Sequence, residues 1–155
     1  MSRASASDKT MVTIVIADDD PDDRLMIQEA LTKKSLNNPV QFVEDGQELM
    51  DYLKKQGKFS AMKPGKPPGL ILLDLNMPRK DGREALSEIK ADPKLRGIPI
   101  VILTTSKLEE DIIRTYDLGV NSFITKPVTF TALVDMMHTI TKYWLEIVEL
   151  PVFER

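Results

Sequence analysis

The chain has 155 residues, of which 42% are hydrophobic and 29% are charged, a balance typical of one compact globular domain. It contains 24 acidic and 21 basic residues, and the resulting net charge of -3 disfavours a protein that coats nucleic acid or an anionic membrane. The absence of cysteine excludes disulfides, thiolate nucleophiles and cysteine-ligated metal sites. One histidine, His138, leaves too few imidazoles for a histidine-rich metal centre.

The first ten residues differ in composition from the rest of the chain. Residues 1–10 are small and polar without hydrophobic periodicity, so we expect a disordered tail there. Residues 11–150 form the predicted domain, and residues 151–155 the predicted C-terminal tail. No stretch approaches the ~18 consecutive apolar residues of a membrane span, and the N-terminus lacks the apolar core of a signal peptide. We therefore expect a cytoplasmic protein that binds neither membrane nor nucleic acid.

Short apolar runs alternate with helical patterns along the chain. We expect strands at residues 13–17, 40–43, 70–73, 98–103 and 122–125. Helices are expected at 21–34, 45–57, from 81, at 108–119, and from about 129 until Pro151 halts the last one. Residues 57–69 contain three glycines, three prolines and three lysines, which predicts a long loop without a regular element. Apolar strands alternating with helices predict a parallel sheet covered on both faces.

Polar residues follow four of the predicted strands. Asp18 and Asp19 follow the first strand, Asp74 the third, Thr104 the fourth and Lys126 the fifth. In an open parallel sheet the ligand site lies beyond the carboxyl ends of the strands, so we expect these side chains to converge. Three neighbouring carboxylates repel one another, so either the pKa of one of them rises or a cation binds between them. Because only oxygen ligands are available, the expected ion is Mg²⁺.

The same residues suit phosphoryl chemistry. Lys126 would supply a point charge and Thr104 a hydroxyl donor for phosphoryl oxygens, which makes Asp74 the candidate nucleophile. Each residue taken alone also has an ordinary explanation, and we interpret Asp22 and Asp23 as helix caps and complements of the helix dipole. The conjunction of suitable residues at four strand ends favours the Mg²⁺ and phosphoryl site over those separate explanations.

The chain resembles the receiver domains of two-component response regulators in these residues and the motifs around them. The motifs that carry the resemblance are Ala17-Asp18-Asp19-Asp20, Leu73-Asp74-Leu75-Asn76-Met77-Pro78, Asp81-Gly82, Leu103-Thr104-Thr105-Ser106 and Phe123-Ile124-Thr125-Lys126-Pro127. They span roughly residues 11–150 and are highly specific in combination. The resemblance implies an α/β, flavodoxin-like (receiver) fold, with a five-stranded parallel sheet of order 2-1-3-4-5 flanked by five helices.

The resemblance also implies roles for these residues. The position of Asp74 accepts a phosphoryl group from a phosphohistidine of a sensor histidine kinase, while Thr104 and Lys126 contact that group. The Mg²⁺ ligands are Asp18, Asp19, Asp74 and the backbone carbonyl of Asn76. Such a protein is a phosphoacceptor switch with at most weak autophosphorylation and autodephosphorylation activity, rather than an enzyme.

Thr104 and Phe123 match the switch pair of the family, in which the hydroxyl moves to the phosphoryl group and the aromatic ring rotates into the vacated space. Phe123 stands where many members have tyrosine, so it can supply only the packing part of that switch. A permanently buried core ring is the alternative interpretation of Phe123.

The lysine- and proline-rich insertion before strand 3 and the ending Tyr143-Trp144-Leu145 through Pro151 resemble the small response regulators of bacterial and cyanobacterial phytochromes. The resemblance therefore implies a phytochrome as the partner kinase. The last helix has more apolar residues than one stripe requires, which predicts a homodimer through that helix and the C-terminal tail. From the length we expect no output domain, and therefore signalling through conformational change or altered association.

Other interpretations stay open at this stage. One is a receiver-like binding module that is never phosphorylated, which the intact set of acidic, threonine and lysine positions argues against. Another is an aspartyl-phosphate phosphatase of the haloacid dehalogenase type, which would need an aspartate two residues after Asp74, where Asn76 stands. A flavin-binding protein is disfavoured because no phosphate-binding loop follows strand 1. We expect His138 at the surface of the last helix.

Overall fold

The computed structural model describes residues 12–34, 36–63 and 65–151 and contains a five-stranded parallel sheet of order β2-β1-β3-β4-β5. The strands are β1 (Ile14–Ala17), β2 (Val40–Val43), β3 (Leu70–Leu73), β4 (Ile100–Thr104) and β5 (Ser122–Thr125). The helices are α1 (Pro21–Lys34), α2 (Gly46–Lys54), α3 (Gly82–Ala91), α4 (Glu109–Leu118) and α5 (Phe130–Lys142). The predicted fold is confirmed, while the predicted tail at 1–10 and residues 152–155 lie outside the described residues.

Alternating strand residues build a separate core on each face of the sheet. Val15 and Ala17 of β1 pack with α2 and α3 on one face, whereas Ile14 and Ile16 pack with α1 and α5 on the other. Because both faces are covered, every residue of β1 and β3 is buried. Helix α4 packs beside α3 and against β5.

The register of the central strands determines which residues meet at their carboxyl ends. Ala17 of β1 pairs with Leu73 of β3, so the next residues, Asp18 and Asp74, emerge side by side. Thr104 closes β4, and its carbonyl accepts a hydrogen bond from the Lys126 N–H at 2.8 Å, which extends the pairing of β4 and β5. The topology therefore brings the polar strand ends to one edge of the sheet.

The loop after α2 differs from the sequence expectation. Residues Gly57–Phe59 form a 3₁₀ turn, so the prediction of no regular element over 57–69 was wrong for these three residues. Phe59 is buried and packs edge-on against Tyr52 with ring centroids 5.2 Å apart, and this contact holds the turn. Gly57 adopts a φ of 55°, which a side chain would disfavour.

The last helix also ends earlier than expected. Its α-helical part stops at Lys142, and Tyr143–Ile147 form a π-helical turn closed by the Val148 N–H on the Tyr143 carbonyl at 2.9 Å. The wider turn buries Leu145 against the α1 and α5 core.

His138 is half-buried rather than exposed at the surface of the last helix as expected, and its Nε2 has no hydrogen-bond partner within the described part of the chain. Among the described residues, no helix combines the length and apolar character needed to cross a bilayer.

Candidate functional site

Three aspartates converge at the carboxyl edge of the sheet. Asp18, Asp19 and Asp74 each offer a carboxylate oxygen, and these three oxygens lie within 4.8 Å of one another. Asp18 and Asp74 are buried, whereas Asp19 is exposed and gives the cluster an open side. The convergence expected from the strand ends is therefore present.

The donor set of this cluster fits a hard divalent cation. All three side chains supply oxygen, and cysteine is absent from the chain. Burial raises the pKa of Asp18 above its ordinary value, although a bond from Lys126 opposes that shift. A cation on the open side would relieve the repulsion among the carboxylates. The predicted ligand role of the Asn76 carbonyl stays a prediction.

Lys126 lies at the centre of the acidic cluster. Its Nζ donates to Asp18 Oδ2 at 2.6 Å, to Asp23 Oδ2 at 2.8 Å and to Asp74 Oδ2 at 3.1 Å. Burial alone would lower the pKa of Lys126, but the bonds to Asp18 and Asp23 outweigh burial and raise it well above its ordinary value. All three ammonium hydrogens are engaged, so the lysine is held as a fixed positive charge.

Asp23 was missed by the sequence reasoning, which assigned it to the helix dipole. A usable signal was present, because Asp23 lies one helical turn before Ile27, and residues four apart share a face of a helix. Ile27 is buried against the sheet, so Asp23 points to the same side of α1. The true cap of α1 is Asp20, whose Oδ1 accepts from the Asp22 N–H at 2.8 Å.

Thr104 contacts the candidate nucleophile directly. Its Oγ1 donates to Asp74 Oδ1 at 2.7 Å, and the side chain is fully buried. Phe123 is half-buried against the core on the α2 and α3 face. The Phe123 N–H donates to the Tyr116 hydroxyl at 3.2 Å, a link between β5 and α4 that the sequence did not reveal.

A second ion pair borders the site. Arg83 of α3 donates from Nε to Asp111 Oδ1 at 2.8 Å and from Nη2 to Oδ2 at 2.7 Å. Ser106 Oγ donates to the same Asp111 Oδ2 at 2.7 Å. The Arg83 bonds, opposed by burial and aided by Ser106, lower the pKa of Asp111 to about 2. Arg83 also reaches the Leu75 carbonyl and Asn76 Oδ1, both at 3.4 Å.

The loop that follows Asp74 is constrained at two positions, Arg79 and Gly82. A Cβ at Gly82 would lie 2.1 Å from the Asp74 carbonyl oxygen, so only glycine fits this approach. Between Asp74 and Gly82, Arg79 adopts a φ of 61° and donates from Nε to Asp45 Oδ2 at 2.8 Å. The acceptor side chain is thus presented by a constrained turn rather than by a free loop.

The family model of the response regulator receiver domain matches residues 14–138, which is most of the chain. The chain belongs to the response regulator receiver domain family. The match includes all of the strand-end residues described above.

Individual receiver proteins are similar over nearly the whole chain. Response regulator Rcp1 of the cyanobacterium Synechocystis is 41% identical over 138 residues, which cover 89% of this chain and 92% of Rcp1. The structure of the phosphorylated cyanobacterial phytochrome response regulator RcpA is 43% identical with a TM-score of 0.84, over 92% of this chain and 99% of that one. The Mn²⁺-bound form of Rcp1 is 40% identical with a TM-score of 0.83, over 91% and 99% of the two chains.

Proposed function

We propose that this receiver domain accepts a phosphoryl group on Asp74 from a phosphohistidine of a sensor histidine kinase. The observation that carries the proposal is the position of the Asp74 carboxylate, 2.7 Å from Thr104 Oγ1 and 3.1 Å from Lys126 Nζ. In the transfer, a carboxylate oxygen of Asp74 forms the new bond to phosphorus. The N–P bond breaks, and the imidazole nitrogen of the kinase keeps its electron pair.

Different residues of the site have different roles in binding the phosphoryl group. We assign Asp18, Asp19, Asp74 and the Asn76 carbonyl to a Mg²⁺ ion, which when bound neutralises charge on phosphoryl oxygens. Lys126 already lies against Asp74, so it can reach a phosphoryl oxygen there without entering the site from outside. Because Lys126 is buried and held in place as a positive charge, it is preorganised to stabilise the negative charge of the phosphoryl group.

Thr104 and Phe123 form the proposed switch. Phosphorylation converts the Asp74 carboxylate to an acyl phosphate, so the Thr104 hydroxyl that donates to this carboxylate gains a phosphoryl oxygen as an alternative acceptor. The bond from the Phe123 N–H to Tyr116 connects the switch strand to α4. A shift of Thr104 can therefore be transmitted to the exposed surface of α4. Slow hydrolysis of the acyl phosphate afterwards returns the switch to its starting state.

We propose a phytochrome as the partner kinase. The support is the similarity to RcpA and Rcp1, the first of which is described as a phytochrome response regulator. The test measures transfer of labelled phosphate from an autophosphorylated phytochrome kinase and from an unrelated sensor kinase of equal labelling. Faster transfer from the phytochrome is expected, and equal rates from the two kinases would remove this assignment.

We also propose a homodimer through the last helix and the segment that follows it. Tyr143 and Ile147 of the π-helical turn are 50% and 60% exposed, and the Tyr143 ring stacks edge-on with Trp144 at 5.5 Å. Sedimentation of an Ile147→Lys variant should show a monomer. The matched control is Ile113→Lys, which changes an equally exposed isoleucine of α4 and should leave the dimer intact. Identical sedimentation of wild type and Ile147→Lys would contradict this interface.

The phosphoacceptor assignment is tested with Mg²⁺ and a small phosphodonor. Wild-type protein should gain label, or bind a fluoroberyllate mimic, and Asp74→Asn should do neither. Chelation of Mg²⁺ should stop labelling of the wild type. Label that persists in Asp74→Asn would refute the assignment, and failure of the wild type to gain label would favour a binding module that is never phosphorylated.

A further inference from the structure

A closed ring of hydrogen bonds passes through one oxygen, Oδ1, of the candidate phosphoacceptor Asp74. Its members, in order, are Asp74, Thr104, Ser106, Asp111, Arg83 and Asn76. The Asp74 end accepts from Thr104 Oγ1 at 2.7 Å and from the Asn76 N–H at 3.2 Å. The far end is the Arg83 and Asp111 ion pair, which does not touch Asp74.

Ser106 connects the ion pair to the acceptor through both of its donors. Its N–H donates to Thr104 Oγ1 at 3.3 Å, and its hydroxyl donates to Asp111 at 2.7 Å. Arg83 closes the other half of the ring through Asn76 Oδ1 at 3.4 Å. Two loops, one after β3 and one after β4, are thereby tied together across the acceptor carboxylate.

The ion pair is the strongest part of this ring. Arg83 binds both carboxylate oxygens of Asp111 in the two-pronged geometry that makes such pairs strong. Asp111 is 6% exposed, so removal of Arg83 would leave a buried carboxylate without its charge partner. Its pKa of about 2 means that the pair stays ionised at neutral pH.

We propose that the Arg83 and Asp111 pair is a positioning clamp that prolongs the phosphorylated state by holding the two loops closed beside Asp74. The inference rests on the proposed phosphorylation of Asp74. Loss of the group requires water to attack phosphorus, while the Asp74 carboxylate leaves with the electron pair of its P–O bond and both water protons end on inorganic phosphate. Asp74 is only 6% exposed in the structure, so loosening of the two loops would admit the attacking water.

The protein is phosphorylated with a small phosphodonor, the donor is removed, and the rate at which the protein loses label is measured. The variants compared with wild type are Arg83→Met, Asp111→Asn and the double variant. Each single variant should lose label about fivefold faster than wild type. The double variant should be no faster than either single, because both changes break one interaction. Arg83→Lys, which restores the charge but not the two-pronged bond, should fall between wild type and Arg83→Met.

A stability control separates positioning from general loosening. Ile98→Val removes one methyl group from a fully buried side chain at the opposite end of the sheet and lowers stability without touching the ring. Its rate of label loss should equal that of the wild type. An Arg83→Met rate equal to wild type, additive effects in the double variant, or equally fast loss in Ile98→Val would each overturn the clamp. Absence of label in the wild type would instead refute the phosphoacceptor role, and the clamp with it.

Discussion

Lys126 Nζ lies 2.8 Å from Asp23 Oδ2, so the lysine between the two buried aspartates is also bound by a third carboxylate from the first turn of α1. The side chain of Asp23 is 25% exposed, compared with 2% for Asp18 and 7% for Asp74. Asp23 is therefore the partner that Lys126 can release at the lowest desolvation cost. A phosphoryl oxygen arriving at Asp74 would take the place of that bond.

Asp23→Asn should accelerate labelling of Asp74 by a small phosphodonor. The substitution removes a carboxylate that competes for Lys126 and repels the incoming dianion. Partly exposed ion pairs contribute about 0.2–1 kcal/mol, equivalent to roughly 1.4- to fivefold in rate. The rate is measured by the appearance of label at fixed donor and Mg²⁺ concentrations.

The control for this prediction is Asp22→Asn, which makes the same charge change in the same helical turn at an exposed position. Its labelling rate should stay close to that of the wild type. Equal acceleration in both variants would attribute the effect to net charge rather than to the release of Lys126.

Divalent cations should stabilise the wild-type protein through the acidic cluster. Asp19 is the exposed member, so Asp19→Asn removes one ligand charge without disturbing a buried contact. Mg²⁺ affinity should fall by about tenfold or more, because ligand charge sets the affinity of such sites. Thermal unfolding in a Mg²⁺ titration measures this as a loss of the ligand-dependent rise in Tm. A rise in Tm equal to that of the wild type would place the ion elsewhere.

The fold was predictable because its signals are local. β3, Leu70–Leu73, is continuously apolar and fully buried, as its sequence indicates. Asp18 and Asp74 follow paired strands, so topology alone brings them together. Arg83 and Asp111 are 28 residues apart, on two helices whose separation no local pattern determines. Asp23 was misassigned because a sufficient local explanation, the helix dipole, concealed its long-range contact with Lys126.

The end of the last helix illustrates a further limit. Hydrophobic spacing extends through Trp144 and Ile147, so the sequence predicts one continuous helix until proline interrupts it. The structure instead changes to a π-helical turn at Tyr143, which buries Leu145 in the core. Such a change depends on how the final turn packs against its neighbours, and one-dimensional periodicity does not carry that information.

The Asp111 ion pair should make stability depend on acid pH. Arg83, opposed by burial, lowers the pKa of Asp111 from 3.8 to about 2. A lowered pKa means that the stabilisation is present above the unfolded-state value near 3.8 and is lost as the pH falls towards 2. The expected contribution is about 1–2 kcal/mol after allowance for the partly exposed Arg83 side chain.

Urea unfolding of wild type and Asp111→Asn from neutral to acid pH measures this contribution. The free energies of unfolding should differ by a constant amount near neutrality and converge as the pH falls from near 3.8 towards 2. A difference that persists unchanged at pH 2 would show that the charge of Asp111 is not its cause.

Tyr116→Phe should expose the Phe123 N–H of β5, a strand at one edge of the sheet. The tyrosine hydroxyl accepts the Phe123 N–H at 3.2 Å, and without it that N–H faces solvent. Hydrogen exchange at the Phe123 amide should accelerate by about fivefold, and stability should fall by about 0.5–1 kcal/mol. Tyr143→Phe, at an equally exposed tyrosine of the last turn, should leave that amide unchanged. Unaltered exchange in Tyr116→Phe would remove this link between α4 and β5.

The most direct test of the account is the chemical location of the phosphoryl group. Protein treated with Mg²⁺ and a phosphodonor is reduced with borohydride, which converts an acyl phosphate on aspartate to homoserine, and is then digested and sequenced by mass spectrometry. We expect homoserine at Asp74 and unmodified aspartate at Asp18, Asp19 and Asp23. Homoserine at another aspartate, or label with Asp74 unmodified, would exclude Asp74 as the phosphoacceptor.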